Sequence, residues 1–198
     1  MGAYRKMRAG EPYAGPDPYT IELQAAARVK LDAFNAIPVG DVLQRRNLLE
    51  DMLGSFGQSF VVSPISWEYG THVHVGDGVF INSECVFLDS ADIRIGDGTV
   101  IAPRAMFLTA AHPVDPVERV TRDPVSGRRN GAIVVNKPIT IGMDCWIGAG
   151  AIVLGGVTIG DGSTIGAGSV VTRSVPAGVV AAGNPCRVIR PATARRGE

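Results

Sequence analysis

The sequence predicts a mainly β chain wound as a parallel β-helix, with helices at its N-terminus and one protruding loop. Three observations predict it. Aliphatic residues recur six positions apart at Ile141, Ile147, Val153, Ile159, Ile165 and Val171. Gly142, Gly148, Gly160 and Gly166 directly follow four of them. Small or β-branched residues fall four positions after each: Cys145, Ala151, Val157, Ser163, Ser169 and Val175. A helix repeats at about 3.6 residues and a strand at about 2, so neither sustains this period. A solenoid with three short faces per coil does, and hexapeptide repeats mark that architecture.

The same beat occurs earlier, at Val75, Ile81 and Phe87, then at Ile95, Ile101 and Phe107. Two extra residues separate those sets, and a long interruption covers 109–138 before the beat resumes. Each periodic residue is expected to point into a narrow prism, where a coil buries its apolar stack only against the coils above and below.

Taken in order, residues 1–57 read as a helical cap. Asp17 followed by Pro18 is a helix start, with an N-cap acceptor and proline at the first position. Leu23, Ala27, Leu31 and Phe34 keep helical spacing until Pro38. A second helix is predicted from Asp41 to Leu53, with Val42, Leu49, Met52 and Phe56 near one side and Gly54 as a stop. Such helices would cover the open end of a β-helix, whose unpaired edge otherwise invites aggregation. Residues 58–190 read as the β-helix domain carrying the 109–138 loop, and 191–198 as a polar tail. Loops beyond about 12–15 residues inside a compact repeat are usually functional or disordered. This one opens with Ala110-Ala111-His112-Pro113, while its 122–129 stretch reads as a solvated turn.

Composition narrows the function classes. The formal net charge is zero, which gives no general pull toward nucleic acid or an anionic membrane. Glycine, at 25 of 198 residues, exceeds the usual ~7% and suits a turn-rich repeat. Three cysteines, Cys85, Cys145 and Cys186, make no disulfide framework. The N-terminus is charged and polar, and no apolar run approaches the ~18 residues that span a bilayer. These features predict a soluble protein of the reducing cytoplasm.

Only three histidines are present. A neutral imidazole at His112 could accept a proton near neutral pH; by spacing alone it reads more readily as a surface loop histidine with a local hydrogen bond. His72 and His74, two apart, would share a strand face, either packing at an edge or pairing on a metal. No Ser/His/Asp arrangement and no cysteine pair suited to zinc is apparent.

Several segments together carry a resemblance: the hexapeptide beat, Tyr69-Gly70 leading into His74-Val75-Gly76-Asp77, Ile101-Ala102-Pro103, Ala111-His112-Pro113, Cys145-Trp146-Ile147-Gly148 and the closing Ala182-Gly183-Asn184-Pro185-Cys186-Arg187-Val188-Ile189-Arg190. From about Tyr4 to Arg190 the chain resembles the maltose/galactoside O-acetyltransferase family, which includes the nodulation acetyltransferases. The resemblance implies a left-handed parallel β-helix, an exception to the usual right-handed crossover. It also implies a homotrimer with active sites between neighbouring prisms, and acetyl-CoA as co-substrate with no metal.

Residue by residue, His112 matches the family's catalytic histidine and Asn82 the asparagine lining the transfer site. Trp146 matches the aromatic wall at the cofactor site. Ala149 and Ala167 fall where backbone groups meet the pantetheine arm. Thr172-Arg173 stands where the family has Thr-Lys, and Arg187 and Arg190 match its phosphate-facing cations; guanidinium groups suit phosphate. At the acceptor end, Glu68 replaces an Asp or Ser, Ser90 replaces an Asp, and Glu84 replaces an Asp or Asn, with Asp17 or Gly15 approaching. The implied activity is acetyl transfer to a hydroxyl of a small sugar such as maltose, glucose or a galactoside. The alternatives are N-acetylation of an amino sugar or xenobiotic, a zinc hydratase using His72, His74 and His112, and a non-catalytic scaffold.

Overall fold

The computed structural model describes residues 2–15 and 17–193; positions 194–198 of the expected polar tail lie outside the described residues. Short strands stack into three sheets, one per face of a prism. The first face carries Ser55–Phe56, Val73–Val75, Ile93–Ile95, Ile139–Ile141 and Thr158–Ile159. The second carries Phe60–Val61, Phe80–Ile81, Val100–Ile101, Trp146–Ile147, Thr164–Ile165 and Val179–Gly183. The third carries Ser66–Trp67, Val86–Leu88, Met106–Leu108, Ile152–Leu154 and Val170–Val171. Pairing is parallel throughout these stacks, and only the final strand, Cys186–Pro191, turns back antiparallel on Val179–Gly183.

The period of six is the register of these sheets. Ile81, Ile101, Ile147 and Ile165 stand one above another on the second face, and Phe87, Phe107, Val153 and Val171 on the third. All are buried in one continuous core. The small residues four positions on are buried as well, including Cys145, Ala151, Ser163 and Ser169. The two serines remain satisfied: Ser163 Oγ donates to Pro176 O at 2.8 Å and Ser169 Oγ to Gly166 O at 2.6 Å. Glycine follows the inward aliphatic because coils approach closely there. A Cβ on Gly148 would lie 2.5 Å from the Ala167 nitrogen of the next coil.

Among the described residues four helices accompany the solenoid: α1 (Gly2–Ala9), α2 (Pro18–Ala36), α3 (Val42–Met52) and α4 (Pro116–Arg119). Asp17 caps α2 by accepting from the Tyr19 and Thr20 amides. Leu31 and Phe34 of α2 and Leu49 and Met52 of α3 bury against Val61, Ile65 and Trp67 of the first coil. Cap side chains also satisfy that coil's exposed edge. Asn35 exchanges two 2.9 Å bonds with the Ile65 backbone, and Arg45 Nη2 donates to Val61 O at 2.9 Å. Val42, expected on the buried side of α3, is 56% exposed. Arg45 takes that place, with its guanidinium 4.3 Å over the Phe34 ring.

One corner of the prism departs from the repeat in three successive coils. Between the third face and the first, the chain inserts residues 68–72, then 89–92, then 109–138. The longest insertion is built, not loose. Ala110–Ala111 pairs antiparallel with Arg129–Asn136, which also pairs with Val120–Arg122 and with Tyr13–Gly15 from the N-terminal segment. The solvated turn has its own cap, since Asp123 Oδ1 accepts from the Val125 and Ser126 amides. The first and third insertions and the N-terminal strand line one cleft, which the second braces through Ser90.

Candidate active site

A cleft of about 250 Å³ opens at this corner, lined by Tyr13, Gly15, Thr20, Gln24, Glu68, Tyr69, His112, Ala132 and Val134. Each wall has a separate origin. Tyr13 and Gly15 come from the N-terminal strand, Thr20 and Gln24 from the first turns of α2, Glu68 and Tyr69 from the first corner insertion, and the rest from the long one.

His112 lies just past the strand Ala110–Ala111, and its Nδ1 is 2.6 Å from Ile133 O. A carbonyl oxygen only accepts, so Nδ1 carries the proton. The neutral ring then holds its free lone pair on Nε2, the tautomer a general base requires.

Glu68 is held from two sides. Gln24 Nε2 donates to Oε1 at 2.6 Å, and Ser90 Oγ donates to Oε2 at 2.7 Å. Gln24 Nε2 also reaches the Tyr69 hydroxyl at 3.0 Å. Burial raises the Glu68 carboxyl above the ordinary glutamate range. Burial likewise raises the Tyr13 and Tyr69 phenols, so both stay neutral hydroxyls at neutral pH. The cleft is thus a set of hydroxyls, one amide, one carboxyl and one imidazole, with no lysine or arginine among the described residues that line it.

Beneath it lies a second buried layer. Asp89 is fully buried, its Oδ1 accepts from the Glu68 and Tyr69 amides at 2.8 and 2.9 Å, and burial raises its carboxyl. His72 Nδ1 donates to Asp89 O at 2.6 Å, while Nε2 faces the Tyr4 hydroxyl at 3.3 Å. Burial lowers the His72 pKa, which keeps the ring neutral. His72 therefore packs at the strand edge. His74 points elsewhere, with Nε2 3.7 Å from Asp92 Oδ2. The three imidazoles do not converge, and among the described residues no group of three or more His, Cys, Asp or Glu side chains gathers as a metal set.

The residues singled out in the sequence fall into two groups. His112, Glu68 and Ser90 meet at the cleft, and Asp17 stands at its rim as the cap before Thr20. Thr172 and Arg173 are exposed on the same corner in the last full coil. Asn82, Glu84, Ala149 and Ala167 lie instead at the corner between the second and third faces. There Asn82 Oδ1 accepts from the Ser83 amide, and Glu84 pairs with Arg104 at 2.7 Å. Trp146, 57% exposed, stands on the second face, which Arg187 and Arg190 extend from the final strand. Within one chain these groups are not assembled into a single site.

Spacing alone did not point to Tyr13, Thr20, Gln24 or Asp89. The two extra residues after Phe87 were the available signal for Asp89, since they create the corner that buries it. Tyr13 and Gln24 lie far from the repeat and carry no periodic mark.

Two family descriptions match the chain: the maltose acetyltransferase hexapeptide capping motif over residues 6–57 and the bacterial transferase hexapeptide (six repeats) over 138–173. Nodulation protein L of Rhizobium leguminosarum bv. viciae is 45% identical over 188 residues, covering 92% of this chain and 92% of that protein. The crystal structure of a maltose O-acetyltransferase from Clostridium difficile 630 superposes with a TM-score of 0.86 at 38% identity, covering 96% of this chain and 97% of that one. A galactoside acetyltransferase in complex with coenzyme A matches with a TM-score of 0.86 at 34% identity, covering 98% of this chain and 92% of that one.

Proposed function

The chain belongs to the maltose/galactoside O-acetyltransferase family of acetyl-CoA-dependent enzymes, and from that premise we propose that it acetylates a hydroxyl of a small sugar with His112 as general base. The observation that carries this reading is the 2.6 Å bond from His112 Nδ1 to Ile133 O at the edge of a cleft lined with hydroxyl groups. Nε2 takes the proton of the acceptor hydroxyl as its oxygen attacks the thioester carbonyl of acetyl-CoA. The tetrahedral intermediate collapses by breaking the C–S bond, and His112 returns the proton to the departing thiolate. General base catalysis of this kind contributes typically about 10²–10⁴-fold. Asn82 would help hold the oxyanion.

Glu68, Gln24 and the tyrosine hydroxyls supply the hydrogen-bonding pattern a polyol needs. Acetyl-CoA would run along the second face past Trp146, Ala149 and Ala167. The exposed side chains of Arg173, Arg187 and Arg190 would meet its phosphates. The separation of the two residue groups supports a homotrimer, in which the cleft of one chain meets the Asn82 and Trp146 side of a neighbour. Three buried free thiols support work in a reducing compartment such as the cytoplasm.

Thiol release from acetyl-CoA, measured against maltose, glucosides, galactosides and amino sugars, tests the assignment, with product analysis separating O- from N-acetylation. Acceptor-dependent release that yields an ester supports it. Amide product would move the acceptor to an amine, and no release with any hydroxyl acceptor would overturn the reading. Sedimentation of the purified protein checks the trimer.

A further inference from the structure

The corner insertion after Phe87 buries a carboxylate that the reaction as drawn does not use. Asp89 lies one layer below the cleft and has no exposed surface. Its Oδ1 gathers the amides of Glu68 and Tyr69, the two residues whose side chains line the cleft from the first insertion. Its own carbonyl receives the His72 ring, which in turn faces Tyr4 of α1. Among the described residues its Oδ2 has no hydrogen-bond partner. A buried carboxyl with one oxygen unpaired is costly, and folds keep such groups mostly where a site demands them. Among the described residues no arginine or lysine pairs with it, and the ionisable ring beside it is that of His72.

The geometry points to Asp89 as the positioning residue of the acceptor subsite, an inference that rests on the hydroxyl-acetylation reading. Glu68 and Tyr69 sit just past the strand Ser66–Trp67, where the ladder ends at the 3.2 Å bond from the Glu68 amide to Phe87 O. Asp89 takes over from there, accepting from the Glu68 amide at 2.8 Å and the Tyr69 amide at 2.9 Å. These bonds fix the peptide so that the Glu68 carboxylate arrives between Gln24 and Ser90, and the Tyr69 hydroxyl arrives at Gln24. Asp89 touches neither substrate. Its effect passes through Glu68 and Tyr69, so its loss should be felt by the acceptor and not by acetyl-CoA.

Steady-state kinetics of Asp89→Ala, Asp89→Asn, Glu68→Ala and the Asp89→Ala/Glu68→Ala double variant test this, together with amide exchange over the peptide containing 68 and 69. In Asp89→Ala the acceptor KM should rise about tenfold or more, as misplaced binding groups do, with the acetyl-CoA KM within about twofold. Amide protection at 68–69 should fall in the same variant. Asp89→Asn keeps an acceptor oxygen in the same place, so it should retain protection and most acceptor affinity. The double variant should bind acceptor no worse than about twofold beyond Glu68→Ala alone.

Additive losses in the double variant, or equal rises in both KM values, would overturn the positioning role. So would unchanged protection in Asp89→Ala. Should Asp89→Ala fail to fold, Asp89→Asn decides: an acceptor KM raised tenfold with protection intact would refute it. The exchange readout does not depend on turnover. Loss of protection in an enzyme that acetylates no hydroxyl would therefore sink the activity and leave the backbone role standing.

Discussion

Replacing His112 with alanine separates chemistry from folding. The ring is exposed and among the described residues makes one hydrogen bond, to Ile133 O, so its removal forfeits one partly solvated contact. Such a bond is worth about 0.5–1.5 kcal/mol, and the low end applies where water replaces the partner. Thermal stability should therefore shift by only a few degrees. The catalytic loss should be far larger. A general base contributes about 10²–10⁴-fold, which corresponds to roughly 2.7–5.4 kcal/mol of barrier at 1.36 kcal/mol per tenfold. The proton acceptor is absent in both the ground and transition states of the variant, but only the transition state needs it. The loss should therefore appear in kcat, with KM for acetyl-CoA nearly unchanged. Stopped or continuous thiol-release assays at saturating acetyl-CoA give both parameters. A fall in kcat below about tenfold would refute the base role. A large rise in the acetyl-CoA KM with kcat intact would refute it as firmly, by assigning His112 to cofactor binding.

Three further outcomes follow from other parts of the molecule. Arg187→Ala should raise the acetyl-CoA KM by about tenfold, the worth of one charge-assisted phosphate contact, while the acceptor KM stays put; a selective loss of acceptor binding would reverse the assignment. Burial holds the Glu68 carboxyl above its ordinary pKa, so the folded protein keeps this proton to higher pH than the unfolded chain. That contribution to stability is complete below the unfolded value and is lost as pH rises through the folded one. Glu68→Gln should accordingly gain melting temperature relative to wild type near neutral pH compared with about pH 4, and equal differences at both would contradict the shift. Phe107 is fully buried and stacks 4.9 Å from Phe87; Phe107→Ala should cost about 3–5 kcal/mol in denaturant unfolding, and a loss under about 1 kcal/mol would deny the stack its place in the core.

The solenoid was legible because its physics is local and repeated. Ile147 tells the same story as Ile101 and Ile165, since each buries against the next. Helix α2 was legible because Asp17 and Pro18 announce its start through backbone chemistry alone. Val42 was misread for the opposite reason. Hydrophobic spacing favours Val42, yet a guanidinium that stacks on Phe34 and binds two carbonyls outcompetes a valine for that face. His72 and His74 share strand parity, but only His72 is roofed by Tyr4 and Tyr69. Nothing in the pair itself records that difference.

The site was legible only as an interruption, and the reason lies in the fold. In a solenoid every regular coil presents the same short strands and tight corners, so no coil is privileged. Concavity requires a departure from the period, and departures are tolerated only where they cover one another. Here the departures after Trp67, Phe87 and Phe107 fall at one corner and stack, because those three residues are in register. Stacking lets Thr109 Oγ1 bond Leu88 O and the Ala91 amide, tying the third insertion to the second. Asp89 ties the second to the first in the same way. A cleft built like this can exchange its wall residues while its floor persists. Of the departures from the family pattern that the resemblance implies, Glu68 and Ser90 meet at this cleft, and they bond directly to each other at 2.7 Å. The two departures are therefore one change spanning two coils, and reverting either alone would leave a carboxyl or hydroxyl without its partner.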